Sequence, residues 1–282
     1  LNYIAKAYWD KLLSESFDDA GVCWPTWPNS YNKYLHNQQY LGFNSALASH
    51  DISLAGQNIV EVGPGSGFWT SVLSLANVAE YSGFDIAHNS VQRLTDRYPT
   101  FNFTECDFSE YVPNENEVNR FDIALSVLVL LHITDNNKFE NCFCNIGHML
   151  KKGGYFITLD AVSVNALRGT QKSMADGEFF NLNYHNKVRY LDYYESVARK
   201  NGFALIGNYP AFNITQNAFD FKTNFGFKIN SFYFRKILNP ILNRSGEKTG
   251  YLIGKTLIWL DRIIFSNASF SSKWLVFKKI TE

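Results

Sequence analysis

"IVEVGPGSGFW", residues 59–69, decides how this chain is read. Ile59, Val60 and Val62 make a short apolar strand with Glu61 inside it. Glycines then stand at 63, 65 and 67, and an apolar helical pattern begins at Phe68. A strand, a glycine loop and a helix in this order bind ligands at the helix N-terminus. A phosphate loop needs G-x-x-x-x-G-K-[ST], and the run Gly67-Phe-Trp-Thr-Ser supplies no lysine. A dinucleotide loop needs G-x-G-x-x-G, and Phe68 stands where its third glycine belongs.

Outward from this stretch, strand and helix patterns alternate. "YSGFDIA" (81–87), "FNFTECDF" (101–108), "FDIALSVLVLL" (121–131), "GYFITLDAV" (154–162) and "FALIGNYPAF" (203–212) read as strands. "FWTSVLSLA" (68–76), "NSVQRLTDRY" (89–98), residues 135–154 and "YLDYYESVARKNG" (190–202) read as helices, the second capped by Asn89 or Ser90 and the third by Asp135. This alternation predicts βαβ units and a parallel sheet, and strands apolar throughout predict that both sheet faces are covered. Residues 1–55 carry two helical patterns around the proline-broken "CWPTWPNS" (23–30). Residues 215–270 interrupt the rhythm with helical stretches, and "SKWLVFKK" (272–279) returns as a strand, Trp274 and Val276 opposite Leu275 and Phe277.

Composition bounds the rest. At 282 residues, 46% hydrophobic and 18% charged, the chain can bury a sizeable core. Its net charge is zero, but residues 222–282 hold 11 Lys and Arg against 3 Asp and Glu, a balance of +8 that residues 1–221 offset. That excess is either solvated lysine around ordinary helices or a surface for an anionic substrate or a lipid headgroup. Cys23, Cys106, Cys142 and Cys144 are too few for a disulfide scaffold and lack metal-site spacing, so a reduced, cytoplasmic setting is expected. No apolar run is long enough to span a membrane, and no nucleic-acid-binding module is visible.

Taken together, Glu61-Val-Gly63-Pro-Gly65-Ser-Gly67, Asp85 in "GFDIAHNSV", Asp107-Phe108 in "ECDF", "RFDIALSVLVLLHITD" (120–135) and "MLKKGGYFITLD" (149–160) resemble the class I S-adenosylmethionine-dependent methyltransferases. The resemblance covers residues 56–214 and the last strand. It implies an α/β fold, a Rossmann-like doubly wound, seven-stranded, mostly parallel sheet whose last strand is antiparallel. An N-terminal helical cap (1–55) and a helical insertion (215–270) would flank that core, with residues 271–282 completing the sheet. It implies S-adenosylmethionine as cofactor, S-adenosylhomocysteine as product and no metal. Gly63, Gly65 and Gly67 would let the methionine part approach the backbone. Asp85 would accept from the ribose diol, Asp107 from the adenine amino group, and Ile86 and Phe108 would flank the adenine. Ser126 and Val127 would either present backbone near the cofactor or belong only to the core, and Glu61 would either contact the cofactor side or cap the adjacent helix.

Methyl transfer to a hydroxyl gains from a general base, and histidine suits that role. His132, just after the fourth strand, and His185, in "FFNLNYHNK" (179–187) beside Tyr184, are the candidates; His36 could enter from the N-terminal cap. Asp160 could orient one of them, and His148 is expected on a helix face. The N-terminal segment and the insertion are expected to build the acceptor pocket. "NLNY" (181–184) departs from the motif of base-methylating enzymes at both central positions. The acceptor is therefore expected to be a small molecule, such as a sugar or glycan intermediate, methylated on oxygen, with N- or C-methylation also open. Two further readings are a cofactor-binding non-catalytic subunit, and a peripheral protein whose helix "YLIGKTLIWLDRIIF" (251–265) lies on a membrane and which acts on a lipid-linked acceptor. Nothing in the sequence speaks to oligomeric state.

Overall fold

The computed structural model describes residues 5–18, 26–163, 187, 189–211, 228–229, 232–264 and 272–281. Eight strands form its sheet: β1 (Asn58–Val62), β2 (Glu80–Asp85), β3 (Asn102–Glu105), β4 (Phe121–Val127), β5 (Leu150–Ser163), β6 (Arg189–Tyr190), β7 (Phe203–Pro210) and β8 (Ser272–Lys279). The spatial order is β3-β2-β1-β4-β5-β8-β7, and the two-residue β6 pairs with β5. β1 to β5 run parallel, and β8 lies antiparallel between β5 and β7. The seven-strand sheet read from the sequence is this path; β6 is too short to leave a periodic signal.

The helices are α1 (Ala5–Glu15), α2 (Asn29–Ser49), α3 (Phe68–Leu75), α4 (His88–Arg97), α5 (Asn136–Met149), α6 (Leu191–Lys200), α7 (Asn239–Leu242) and α8 (Glu247–Ile264). A 3-10 turn spans Leu130–His132, and a π-helical segment, Phe234–Leu238, precedes α7. Asp135 caps α5 as expected, its Oδ1 accepting from the Lys138 N–H at 3.0 Å.

Both sheet faces are buried. On one, Phe139, Phe143 and Ile146 of α5 and Tyr194 and Val197 of α6 pack on Val60, Ala124, Phe156, Leu275 and Phe277. On the other, Phe43 and Leu47 of α2 and Trp69 and Leu73 of α3 pack on Ile59, Ile123, Ile157, Trp274 and Val276. β8 thus sends alternate side chains into two cores, which makes it apolar at every central position. Trp274 is fully buried, and its Nε1 donates to the Gln39 carbonyl of α2 at 2.9 Å. This bond fixes how α2 lies on the sheet.

The described part of the insertion forms a third cluster against α2, in which Leu238 and Leu242 meet Trp27, Tyr31 and Leu35. No described helix is long and apolar enough to cross a membrane.

Trp274→Ala is expected to cost about 3–5 kcal/mol, as for other fully buried aromatics. Denaturant unfolding reads this directly, and a cost under about 1 kcal/mol would mean that β8 does not knit the two cores.

Candidate active site

The order in which strands are added reverses between β1 and β4, and open α/β sheets bind ligands outside the strand ends at such a point. There the structure has a cavity of about 640 Å3. Gly63, Gly65, Asp85, Ile86, Asp107, Phe108, Val127 and His132 all line it. The motif residues lie far apart in sequence, but four parallel strands, β1 to β4, end at the same edge and bring them together.

The glycine loop is shaped by its own packing. Gly63, Gly65 and Gly67 all have positive φ, at 71°, 57° and 87°. A Cβ on Gly63 would meet a Val129 methyl at 2.4 Å, and one on Gly67 would meet Leu94 at 2.4 Å. At these two positions glycine is required by neighbouring side chains as well as by the turn, so close approach of a ligand is not its only reason. Gly67 caps α3 and does not line the cavity.

Asp85 is buried at the end of β2, with 6% of its surface exposed. Its Oδ1 accepts from the Ala87 N–H at 2.8 Å. Its Oδ2 accepts from the Gly65 N–H at 2.8 Å and from Ser90 Oγ at 3.0 Å. Burial raises its pKa above the ordinary carboxylate value, and these bonds pull it back. A carboxylate offers about four lone-pair sites, so three internal bonds leave room for one more donor. Ser90 is therefore a tie between loop and strand, its single hydroxyl proton shared between Asp85 Oδ2 and the Gly65 carbonyl, 2.8 Å away. It is not the helix cap: α4 begins at His88, with Ala87 before it. Asp107 Oδ1 accepts from the Ser109 hydroxyl at 2.5 Å and Oδ2 lies 3.4 Å from Lys138 Nζ.

Three expected site residues stand elsewhere. Glu61 points behind the loop, where Oε2 accepts from Tyr81 Oη at 2.5 Å and Thr70 Oγ1 at 3.0 Å. It does not line the cavity, and burial pushes its pKa up to about 7. Ser126 is fully buried within β4 and does not line the cavity either. Asp160 accepts from Tyr194 Oη at 2.6 Å and the Ala161 N–H at 2.9 Å, so it braces α6 instead of facing an acceptor. His185 and Tyr184 lie outside the described residues. His148 is exposed near the end of α5, as expected for a residue without a site role.

The rest of the wall carries no motif. After β4, Leu128 adopts φ 56° and its N–H donates to the Leu159 carbonyl at 2.7 Å. This left-handed bend at a branched residue aims Val129 at Gly63. Arg189 then clamps the next turn: Nη2 donates to the Ile133 carbonyl at 2.6 Å and Nη1 to that of Leu130 at 3.3 Å. α1 adds Ala5, Lys6, Trp9 and Leu13 to the wall. It is tied down by a Lys6–Glu105 ion pair, and the Trp9 ring meets His132 edge-on at 4.8 Å. α2 adds His36, stacked on Phe68 at 4.2 Å, and Gln39. None of the described residues of 228–264 lines the cavity, so within the described chain the N-terminal segment alone supplies its cover. No group of residues that could hold a metal ion occurs among the described residues.

Gly63→Ala is expected to abolish ligand binding, and adding Val129→Ala is expected to recover part of it by removing the clash. Calorimetry on the two variants checks this; no recovery would mean that the backbone angle alone imposes glycine. Glu61 carries a second expectation. Its raised pKa makes the folded state hold a proton that the unfolded chain releases between about pH 5 and pH 7, so stability from this group falls across that window. Glu61→Gln does not titrate, so its stability deficit relative to wild type should shrink from pH 5 to pH 7 in thermal unfolding. A constant deficit would place the Glu61 pKa in the ordinary range.

Comparison with known proteins agrees with this geometry. Residues 60–158 match the family model described as a methyltransferase domain. No curated protein matches the sequence. Among solved structures, a chain of the Haloferax volcanii complex with the Trm112 methyltransferase activator is similar over 99% of both chains, with a TM-score of 0.60 and 13% identity. An S-adenosylmethionine-dependent methyltransferase from Mesorhizobium loti is similar over 83% of this chain and 96% of its own, with a TM-score of 0.50 and 15% identity. Phosphoethanolamine N-methyltransferase 2 of Haemonchus contortus, in complex with phosphomonomethylethanolamine and S-adenosylhomocysteine, is similar over 96% of this chain and 59% of its own, with a TM-score of 0.53 and 19% identity. Residues 60–158, which hold the glycine loop and the strand-end carboxylates, are thus similar to a methyltransferase domain, and the sheet order is that of the methyltransferase fold.

Proposed function

We propose that this enzyme methylates a hydroxyl oxygen of a small molecule, such as a sugar or glycan intermediate. The observation that carries the reading is the single cavity that joins Gly63, Gly65, Asp85 and Asp107 to His132 beneath α1. Its volume suits a cofactor with a small acceptor and not a macromolecular segment.

The residues present fit the cofactor. Asp85 keeps one accepting site for a ribose hydroxyl. Asp107 would accept from the adenine amino group, with Ile86 and Phe108 beside the ring. Gly63 and Gly65 would border the methionine part. When bound, S-adenosylmethionine supplies an electrophilic methyl group. The chain's own part is to align the acceptor, exclude water and take its proton. An imidazole nitrogen of His132 is the proton acceptor in this reading, because it lines the same cavity and Trp9 holds the ring edge-on. His185 remains the second candidate base.

A second reading concerns location. The described insertion exposes Phe232, Ile237, Ile241, Tyr251, Leu252 and Trp259, interspersed with exposed Arg235, Lys236, Arg244, Lys248 and Lys255. Apolar side chains among basic ones favour the surface of an anionic membrane, which would bring a lipid-linked acceptor to the enzyme. Flotation with phosphatidylserine vesicles separates the readings: a protein that stays at the bottom works on free acceptors.

Calorimetric titration should show S-adenosylmethionine and S-adenosylhomocysteine binding to wild type and not to Asp85→Ala. On a hydroxyl acceptor, His132→Gln is expected to lower kcat by about 10²–10⁴-fold. An amine acceptor, free to lose its proton to solvent, would leave kcat nearly unchanged, and that result would replace O-methylation with N-methylation.

A further inference from the structure

Gln39 lies in the middle of α2 with 1% of its surface exposed, and it lines the cavity. Both its side-chain amide atoms, Oε1 and Nε2, are buried without a hydrogen-bond partner in the protein. Its position is not accidental, since the backbone carbonyl of the same residue receives the Trp274 indole. Buried amides in folded proteins are satisfied almost without exception. Gln39 borders the cavity, which is where partners for this amide can stand.

The surroundings define those partners. His36, one turn earlier on the same helix, stacks on Phe68, the residue that directly follows the glycine loop. The cavity wall from α2 and the start of α3 consists of His36, Gln39, Phe68 and Trp69, with no lysine or arginine. An amide in that wall presents one acceptor and a pair of donors and carries no charge. It matches a group that brings both a donor and an acceptor and has no net charge, which describes an amino-acid zwitterion. A lone carboxylate or phosphate would leave Oε1 unpaired, and the two lysines of the cavity, Lys6 and Lys138, stand on α1 and α5 and are paired with carboxylates of their own.

We propose that Gln39 holds the amino-acid end of the cofactor, with Nε2 donating to the carboxylate and Oε1 accepting from the ammonium group. The assignment rests on the cofactor reading above and adds to it a recognition residue from the N-terminal cap. It also explains why α2 must be pinned to β8: the helix register sets the height of the amide above the glycine loop.

The test compares two ligands that differ in that end alone. S-adenosylhomocysteine carries the amino acid, and 5′-methylthioadenosine lacks it. Both are titrated calorimetrically into wild type, Gln39→Leu and Gln39→Glu, with near-ultraviolet dichroism confirming that each variant folds. Hydrogen bonds to charged groups of this kind convert to about a 10–100-fold change in affinity. Wild type is expected to prefer S-adenosylhomocysteine, and Gln39→Leu to lose about 10–100-fold on it while methylthioadenosine binding stays within about twofold. Gln39→Glu should weaken S-adenosylhomocysteine further by repelling its carboxylate. Unchanged S-adenosylhomocysteine affinity in Gln39→Leu overturns the assignment, as does equal weakening of both ligands. Wild type that binds neither ligand removes the cofactor reading itself, a result distinct from a variant that binds both.

Discussion

The Asp85 carboxylate organises the site. It is a buried anion at the end of β2, and removing it from water is tolerable because three donors converge on it. Those donors come from the glycine loop, from the turn after β2 and from the first turn of α4. One carboxylate therefore holds the loop after β1 against the strand beside it and sets where α4 starts. The same bonds leave one accepting direction, so the group that builds the site also retains capacity to bind.

A second constraint meets the first at Gly63. The chain leaving β4 bends at Leu128 and drives a Val129 methyl into the space where a side chain on Gly63 would stand. The two loops that border the cavity are thereby interlocked. Arg189 extends the lock by holding the carbonyls of Leu130 and Ile133, and so fixes the turn that carries His132. α1 closes the wall with fewer contacts, the exposed Lys6–Glu105 ion pair and the half-buried bonds from Asn89 to Asp10. The rigid base and more loosely tied cover suit a site that must admit and release a ligand.

Much of the core was legible because its signals are local. Glycines at 63, 65 and 67, a carboxylate at each of two strand ends and alternating apolar patterns each need only a few adjacent residues. The α5 cap at Asp135 and the two-faced strand at 272–279 were readable for the same reason. Which of the open readings of Glu61, Ser126 and Asp160 holds was not legible, because sequence does not say which way a strand side chain faces relative to a loop. Glu61 and Ser126 each adjoin a wall residue in sequence but turn into the protein, and a tyrosine hydroxyl holds Glu61 and Asp160 there.

Sequence by itself determined the class of fold and the place of the glycine-bordered turn, because parallel βαβ order and such a turn follow from short-range rules of backbone geometry. Only the tertiary structure decided who shares the cavity. Trp9, His36, Gln39, Leu128 and Val129 carry no motif, and they meet through the packing of α1 and α2 over the strand ends. Such contacts depend on helix register against a distant strand, as in the Trp274 bond to the Gln39 carbonyl across 235 positions of sequence. No local pattern encodes a relation of that length.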